Sequence, residues 1–268
     1  MQLAEFIDYH QPALEVNEVK YNLILGLLGN QANAELRLWS MDVPGACAIQ
    51  NPGNIVLGDL TREQCRRLAD ETATLGYAGV VGSDDTAEWF VDRAAELGIR
   101  FHDPDPQQIQ MLNTSPIYPG ADGAARRVCA EDASLFTDWM LAFYDEAAPY
   151  DPKPARQQLQ SAAGSEHYSF WIVDGQPVSM AGIRRRTRNV GAISGVYTPS
   201  SLRGRGYAGS VTAAVVERIF GEGKTAACLY TDLRNPFSNR CYAKIGFKPA
   251  CHSSHYVRLA EGMRSDAA

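Results

Sequence analysis

Residues 196–209 constrain this chain more than any other stretch. They read Val-Tyr-Thr-Pro-Ser-Ser-Leu-Arg-Gly-Arg-Gly-Tyr-Ala-Gly. They join Asn189–Tyr197, which has the apolar pattern of a strand, to Tyr207–Phe220, which has helical spacing. Gly204, Gly206 and Gly209 permit close backbone approach with no Cβ in the way. The first N–H groups of a helix have no partner within it, and they form a nest for an anion. The dipole adds about 0.3–1 kcal/mol for a negative group there. Arg203 and Arg205 add charge, and a pyrophosphate fits the whole description. A Walker loop would end in Gly-Lys-Ser/Thr, which is missing. Gly204–Gly209 does satisfy the dinucleotide pattern GxGxxG literally. That fingerprint belongs near the start of a parallel βαβ unit, whereas this loop follows a hairpin region.

The hairpin is read from Asp174-Gly175, which favours a type I′ turn between strands at Tyr168–Val173 and Gln176–Arg185. Before it come a strand running into a turn at Arg126–Asp132 and helices at Glu131–Glu146 and Lys153–Gly164. After the loop come a strand at Ala226–Thr231, a helix at Pro236–Ile245 and a strand at His252–Leu259.

This arrangement resembles the GNAT acyltransferase superfamily. Arg203-x-x-Gly206-x-Ala208 is similar to that family's Gln/Arg-x-x-Gly-x-Gly/Ala acyl-CoA loop. Val196-Tyr197-Thr198-Pro199 resembles its splayed fourth strand, whose backbone bonds the pantetheine arm. Asn235-Pro236-Phe237-Ser238-Asn239-Arg240-Cys241-Tyr242, running on to Gly246-Phe247, resembles its last signature. The resemblance covers about 126–268. It implies acetyl-CoA or coenzyme A as co-substrate and no metal. It also implies a CoA site at Val196, Tyr197, Thr198, Arg203, Gly204, Arg205, Gly206, Tyr207, Ala208, Gly209, Asn235 and Asn239. Tyr242 would be the catalytic acid, although a tyrosine there also reads as core. Asn235 also reads as the N-cap of the Pro236 helix. The strand glutamate used as base by many family members is missing, since Ala192, Ser194 and Val196 occupy that stretch. Asp232, Glu146 and a water relay are the alternatives.

The first half reads as a helix that starts near Val16 and ends with Asn22–Leu28, strands at Glu35–Met41, Ala46–Gln50 and Asn54–Gly58, and a helix at Arg62–Leu75. A strand at Tyr77–Val81, a helix from Ser83 to Leu97, and strands at Ile99–His102 and Gln108–Leu112 complete it. Asn51-Pro52-Gly53 reads as a turn, and Thr61 with Gln64 as a capping box. No glycine-rich turn precedes the Arg62 helix. We expect an α/β chain with a largely antiparallel sheet flanked by helices. It divides into 1–122, a degenerate GNAT-like or accessory domain that binds no CoA, and 123–268, the acetyltransferase domain; Asn113–Gly123 is the linker.

Charge supports two units. Residues 1–125 carry 7 basic and 18 acidic residues, a net of −11; residues 126–268 carry 18 and 13, a net of +5. An acidic chain is a poor nucleic-acid binder, but the basic half suits a small polyanion. Arg184–Arg188 reads either as a solvated face or as a rim for an anion, the CoA 3′-phosphate or an acidic substrate. Tyr144, Asp145 and Glu146 at the end of a helix would suit a cationic amine. Six cysteines without CxxC spacing read as reduced thiols, and His252 with His255 has no third zinc ligand in view. No apolar run reaches the ~18 residues of a membrane span, and the start lacks a signal pattern. We therefore expect a cytoplasmic monomer or homodimer that acts on acyl-CoA and an amine, with no membrane or nucleic-acid partner. The expected reaction is acetyl transfer to a primary amine of a small molecule or peptide. The alternatives are an aminoacyl-tRNA-dependent transferase of the same fold and a non-catalytic acyl-CoA sensor.

Overall fold

A computed structural model describes residues 2–29, 36–51, 53–148, 153–165 and 167–259. In chain order it contains α1 (Leu3–Leu14), α2 (Asn22–Gly29), β1 (Arg37–Ser40), β2 (Cys47–Gln50), β3 (Asn54–Leu57), α3 (Arg62–Thr72), β4 (Gly79–Gly82), α4 (Asp84–Glu96) and β5 (Asp105–Leu112). There follow β6 (Ala124–Arg127), α5 (Ala133–Ala147), α6 (Arg156–Ala162), β7 (Tyr168–Val173), β8 (Gln176–Arg186), β9 (Val190–Tyr197), α7 (Tyr207–Gly221), β10 (Ala226–Asp232), α8 (Pro236–Ile245) and β11 (Lys248–Val257). The strands are paired mostly antiparallel, with helices flanking them, in a mixed α/β fold.

Two compact units emerge, each discontinuous in sequence. One is Met1–Ile109 with Asp232–Arg234 and Ala250–Ala268; the other is Gln110–Thr231 with Asn235–Pro249. The first unit orders its strands β1-β2-β3-β4-β11, so the last strand among the described residues completes it. Its sheet is antiparallel except at β3–β4. The second unit orders its strands β10-β9-β8-β7-β6, antiparallel except at β10–β9. Residues Gln110–Leu112 of β5 belong to this unit. Both units thus follow two helices with three antiparallel-linked strands, a helix, a parallel strand and a further helix.

In the second unit, Val211, Ala213, Val215, Val216 and Ile219 of α7 pack on Ile183, Ile193, Ala227 and Leu229 in one core. A separate core joins Phe136, Trp139, Met140 and Tyr144 of α5 to Tyr168, Phe170 and Met180. The period-2 alternation of the strands produces these two faces. In the first unit, α3 and α4 likewise share a core with Ile55 and Val80, while α1 and α2 share another with Ile49 and Val56.

Most element boundaries agree with the sequence reading to within a few residues, and four differ, the first being the helix expected from near Val16, which starts at Asn22 after a short 3-10 turn at Glu15–Asn17. Helix α1 was not expected, because Pro12 lies inside it and masks the apolar face formed by Phe6, His10 and Leu14. Helix α3 ends at Thr72, short of the expected Leu75, and Ala73–Leu75 form a turn. Ile99–His102 is not a strand; a single bridge joins Phe101 to Arg258. Glu35 and Pro52, part of the expected first strand and of the Asn51–Gly53 turn, lie outside the described residues. The Asp174-Gly175 turn has φ of 48° and 75°, the two left-handed residues that a type I′ turn requires. All six cysteines are free thiols, and burial pushes Cys47 and Cys65 up to about 12.

Candidate active site

The site begins with a defect in pairing. β9 and β10 are paired in parallel from Val190↔Ala226 to Ile193↔Leu229. Both strands then run on, β9 to Tyr197 and β10 to Asp232, without pairing to each other. The cause lies on the other edge of β9. Opposite Ala181 it carries two residues, Gly195 and Val196, between the pairs Gly182↔Ser194 and Met180↔Tyr197. This is a bulge, and Gly195 takes φ +66° in it. A bulge bends its strand, so the backbone of β9 leaves β10 where Val196, Tyr197 and Thr198 follow. An isolated glycine inside a strand pattern was the available sequence signal for Gly195.

The end of β9 is fixed by Ser179, which motif reading did not single out, and by Arg203 and Glu146, which it read in other roles. Ser179 Oγ donates to the Tyr197 carbonyl at 3.0 Å and lies 2.8 Å from Thr198 Oγ1. Arg203 Nε donates to the Thr198 carbonyl at 2.8 Å. The same guanidinium is paired with Glu146 and lies over the Tyr197 ring, while Tyr197 Oη donates to Glu146 at 3.4 Å. Arg203 therefore clamps the loop, and Thr198 is buried as an anchor. Arg205 is exposed and makes no salt bridge among the described residues.

The loop then enters α7 through Gly206, whose φ is +83° at the N-cap. Gly204 is also left-handed, at +79°, and nothing lies within 4 Å of where its Cβ would be. Both glycines are exposed, and they lead into the first N–H groups of a 15-residue helix, which have no partner within it. Gly209 is a glycine for a different reason: a Cβ there would lie 2.5 Å from Pro119 Cγ. Tyr207 and Ala208 are half-buried in the first turn.

Helix α8 carries the last predicted residues. Asn235 is its N-cap, with Oδ1 accepting from Phe237 N at 3.1 Å and Ser238 N at 3.2 Å. Asn239 Oδ1 accepts from Gln110 Nε2, which also reaches Thr231 Oγ1 on β10. Tyr242 is 8% exposed, packs edge-on to Phe247 and belongs to the α7 core. Burial raises its pKa well above the ordinary phenol value. The two candidate bases are both engaged: Glu146 with Arg203, and Asp232 with Arg234, whose Nε lies 3.0 Å from Oδ1.

The corresponding place in the first unit is closed. There β3 and β4 are paired up to Val56↔Val81, one residue from the end of each strand. Helix α3 satisfies its own start: Gln64 N donates to Thr61 Oγ1 and Thr61 N to Gln64 Oε1. This capping box occupies N–H groups that an anion would need.

The sequence model described as the Acetyltransferase (GNAT) family matches residues 133–247. No curated protein matches this sequence significantly. Among solved structures, a Drosophila protein is 13% identical and superposes with a TM-score of 0.72 over 98% of each chain. A GCN5-related N-acetyltransferase from Kribbella flavida is 16% identical, with a TM-score of 0.60 over 90% of this chain and 96% of that one. A tandem GNAT protein from the clavulanic acid biosynthesis pathway is 11% identical, with a TM-score of 0.54 over 90% of this chain and 89% of that one. At these identities the likeness is one of fold. The matched segment contains the β9 bulge, the split from β10, the glycine entry to α7 and the Tyr242 helix, and residues 133–247 are an acetyltransferase (GNAT) family domain.

Proposed function

We propose that this chain is an acyl-CoA-dependent N-acyltransferase that moves an acetyl group to a primary amine. The observation that carries this reading is the unpaired end of β9 beside the glycine entry to α7. Acyl-CoA supplies the activated acyl group as a thioester. Gly204, Gly206 and the first N–H groups of α7 bind the pyrophosphate, with Arg205 as the adjacent cation. The backbone of Val196 and Tyr197, released from β10, orients the pantetheine arm, and an N–H there polarises the acyl carbonyl. Tyr242 holds a proton at Oη for the departing thiolate, and its raised pKa keeps it protonated through the neutral range. Asn235 and Asn239 shape the α8 side of the cofactor site. With Glu146 and Asp232 both engaged by arginines, the amine proton leaves through water.

In this reading the second half is the transferase and the first is an accessory, degenerate copy. The self-capped start of α3 and the closed β3–β4 pair support that assignment. Calorimetric titration with acetyl-CoA should give one site per chain, and free thiol should then appear only when an amine is added. No binding of acetyl-CoA would refute the reading; binding with no amine-dependent thiol release would leave an acyl-CoA sensor.

A further inference from the structure

We propose that the acyl acceptor is an amine that also bears a carboxylate, and that Arg184 receives that carboxylate between the phenols of Tyr144 and Tyr168. This rests on the acyltransferase reading above.

The arginine run 184–188 does not form one charged rim. Arg186 is held by Glu222 at 2.8 and 3.1 Å, and Arg185 lies over the Tyr230 ring. Arg184 differs: it is exposed, and it has no carboxylate partner among the described residues. Its Nη1 donates to Tyr144 Oη at 3.4 Å, a long bond that leaves most of its five N–H donors for another group. Tyr144 and Tyr168 are 5% and 8% exposed and both hydroxyls bond the Arg184 guanidinium, so the cation rests on a buried pair of phenols.

Its position relates the cluster to the proposed chemistry. Ile183 points into the α7 core, and Arg184 projects to the α5 face with Tyr144 and Tyr168. Helix α7, whose start is the proposed pyrophosphate site, packs on the other face of the sheet, which leaves Arg184 for the second substrate. The Tyr168 ring connects the two ends of this site. A Cβ on Gly195 would lie 2.9 Å from Tyr168 Cε1, and one on Gly182 would lie 2.3 Å from Cδ1. The guanidinium is therefore one phenol ring away from the bulge at which the acyl group is placed. That span suits a small molecule with amine and carboxylate a few bonds apart, the amino acid class. A planar guanidinium takes a carboxylate through two parallel N–H bonds, and a neutral phenol adds a third donor. Burial raises the pKa of Tyr168, which keeps that hydroxyl a donor.

The test uses the full chain with acetyl-CoA, the common amino acids and their carboxamides, read by free-thiol release. The carboxamides have the less basic amines, so amine reactivity alone favours them. We expect at least one amino acid to exceed its carboxamide by ~100-fold or more in kcat/KM. Arg184→Gln should raise KM for that amino acid about 10–100-fold and Arg184→Lys less, with the calorimetric affinity for acetyl-CoA unchanged in both. Equal use of acid and amide, use of uncharged amines alone, no turnover of any amino acid, or an unchanged KM in a folded Arg184→Gln protein overturns the inference. Failure to bind acetyl-CoA instead overturns the parent reading.

Discussion

Replacing Gly206 by alanine separates the binding role of the loop from its structural role. The residue has φ +83°, and an added Cβ would meet Ala121 Cβ at 3.4 Å and Pro119 Cβ at 3.5 Å, which is ordinary contact. The protein therefore has room for the methyl, and the cost to folding is that of a left-handed L-residue, about 1–2 kcal/mol. For a chain of this size that lowers Tm by roughly 2–8 °C. Gly223 provides the control. It follows the other end of α7 with φ +79° and nothing within 4 Å of its Cβ position, so Gly223→Ala carries the same strain away from the nest. Only Gly206 is the N-cap of α7, so strain there also displaces the first backbone N–H groups that we propose meet a pyrophosphate oxygen. Losing two charge-assisted hydrogen bonds, each about 1.5–3 kcal/mol, weakens binding ~100-fold or more. Calorimetry with acetyl-CoA should thus give two proteins with matched Tm, one with native affinity and one without. A folded Gly206→Ala protein that binds within about threefold of wild type would refute the assignment of the loop.

Tyr242→Phe keeps the ring against Phe247 and removes the proton donor, so kcat should fall at least ~10-fold with little change in acyl-CoA affinity. Because burial raises the pKa of this phenol, the wild-type rate should show no loss from its ionisation between pH 6 and 9, which a pH–kcat profile will check. Glu146→Gln should raise KM for acyl-CoA severalfold by loosening Arg203 and leave kcat within about threefold; a kcat loss near 100-fold would make Glu146 the base. His10 is fully buried, accepts from Gly45 N at 3.0 Å through Nδ1, and has its pKa lowered by burial. Its stabilisation is present above the unfolded value of about 6.5 and is lost as pH falls from there through the folded value. Tm should therefore drop more steeply below pH 6.5 in wild type than in His10→Gln, and equal slopes would exclude the contribution.

The strand–glycine–helix signal of residues 190–221 was legible because each step has its own chemistry: alternation, left-handed glycine and helical apolar spacing. The N-cap role of Asn235 and the capping box of Thr61 were legible for the same local reason. What was not legible depends on partners distant in sequence. Arg203 looks like a phosphate ligand until Glu146, 57 residues away, is seen to hold it. Gly209 looks like part of an anion loop until Pro119 is found against it. Gln110, which orients Asn239 across 129 residues, belongs to no motif. Arg184 and Arg186 read alike in the sequence and differ only in which side of the sheet they reach.

The placement of β11 has a consequence for synthesis. Strand β4 takes β11 as its neighbour through Gly79↔Val257 to Gly82↔Ser254, so the first unit waits for a strand made after every strand of the second. The 148 residues from Gln110 to Val257 must leave the ribosome before that edge is covered. At ordinary elongation rates the delay is roughly 7–30 s. During it Val80 and Val81 lie on an apolar, unpaired edge, the kind that recruits other chains. A nascent chain stalled after Phe247 would carry every residue of the proposed transfer site and still be the more aggregation-prone species, because what it lacks is the strand that its other end requires.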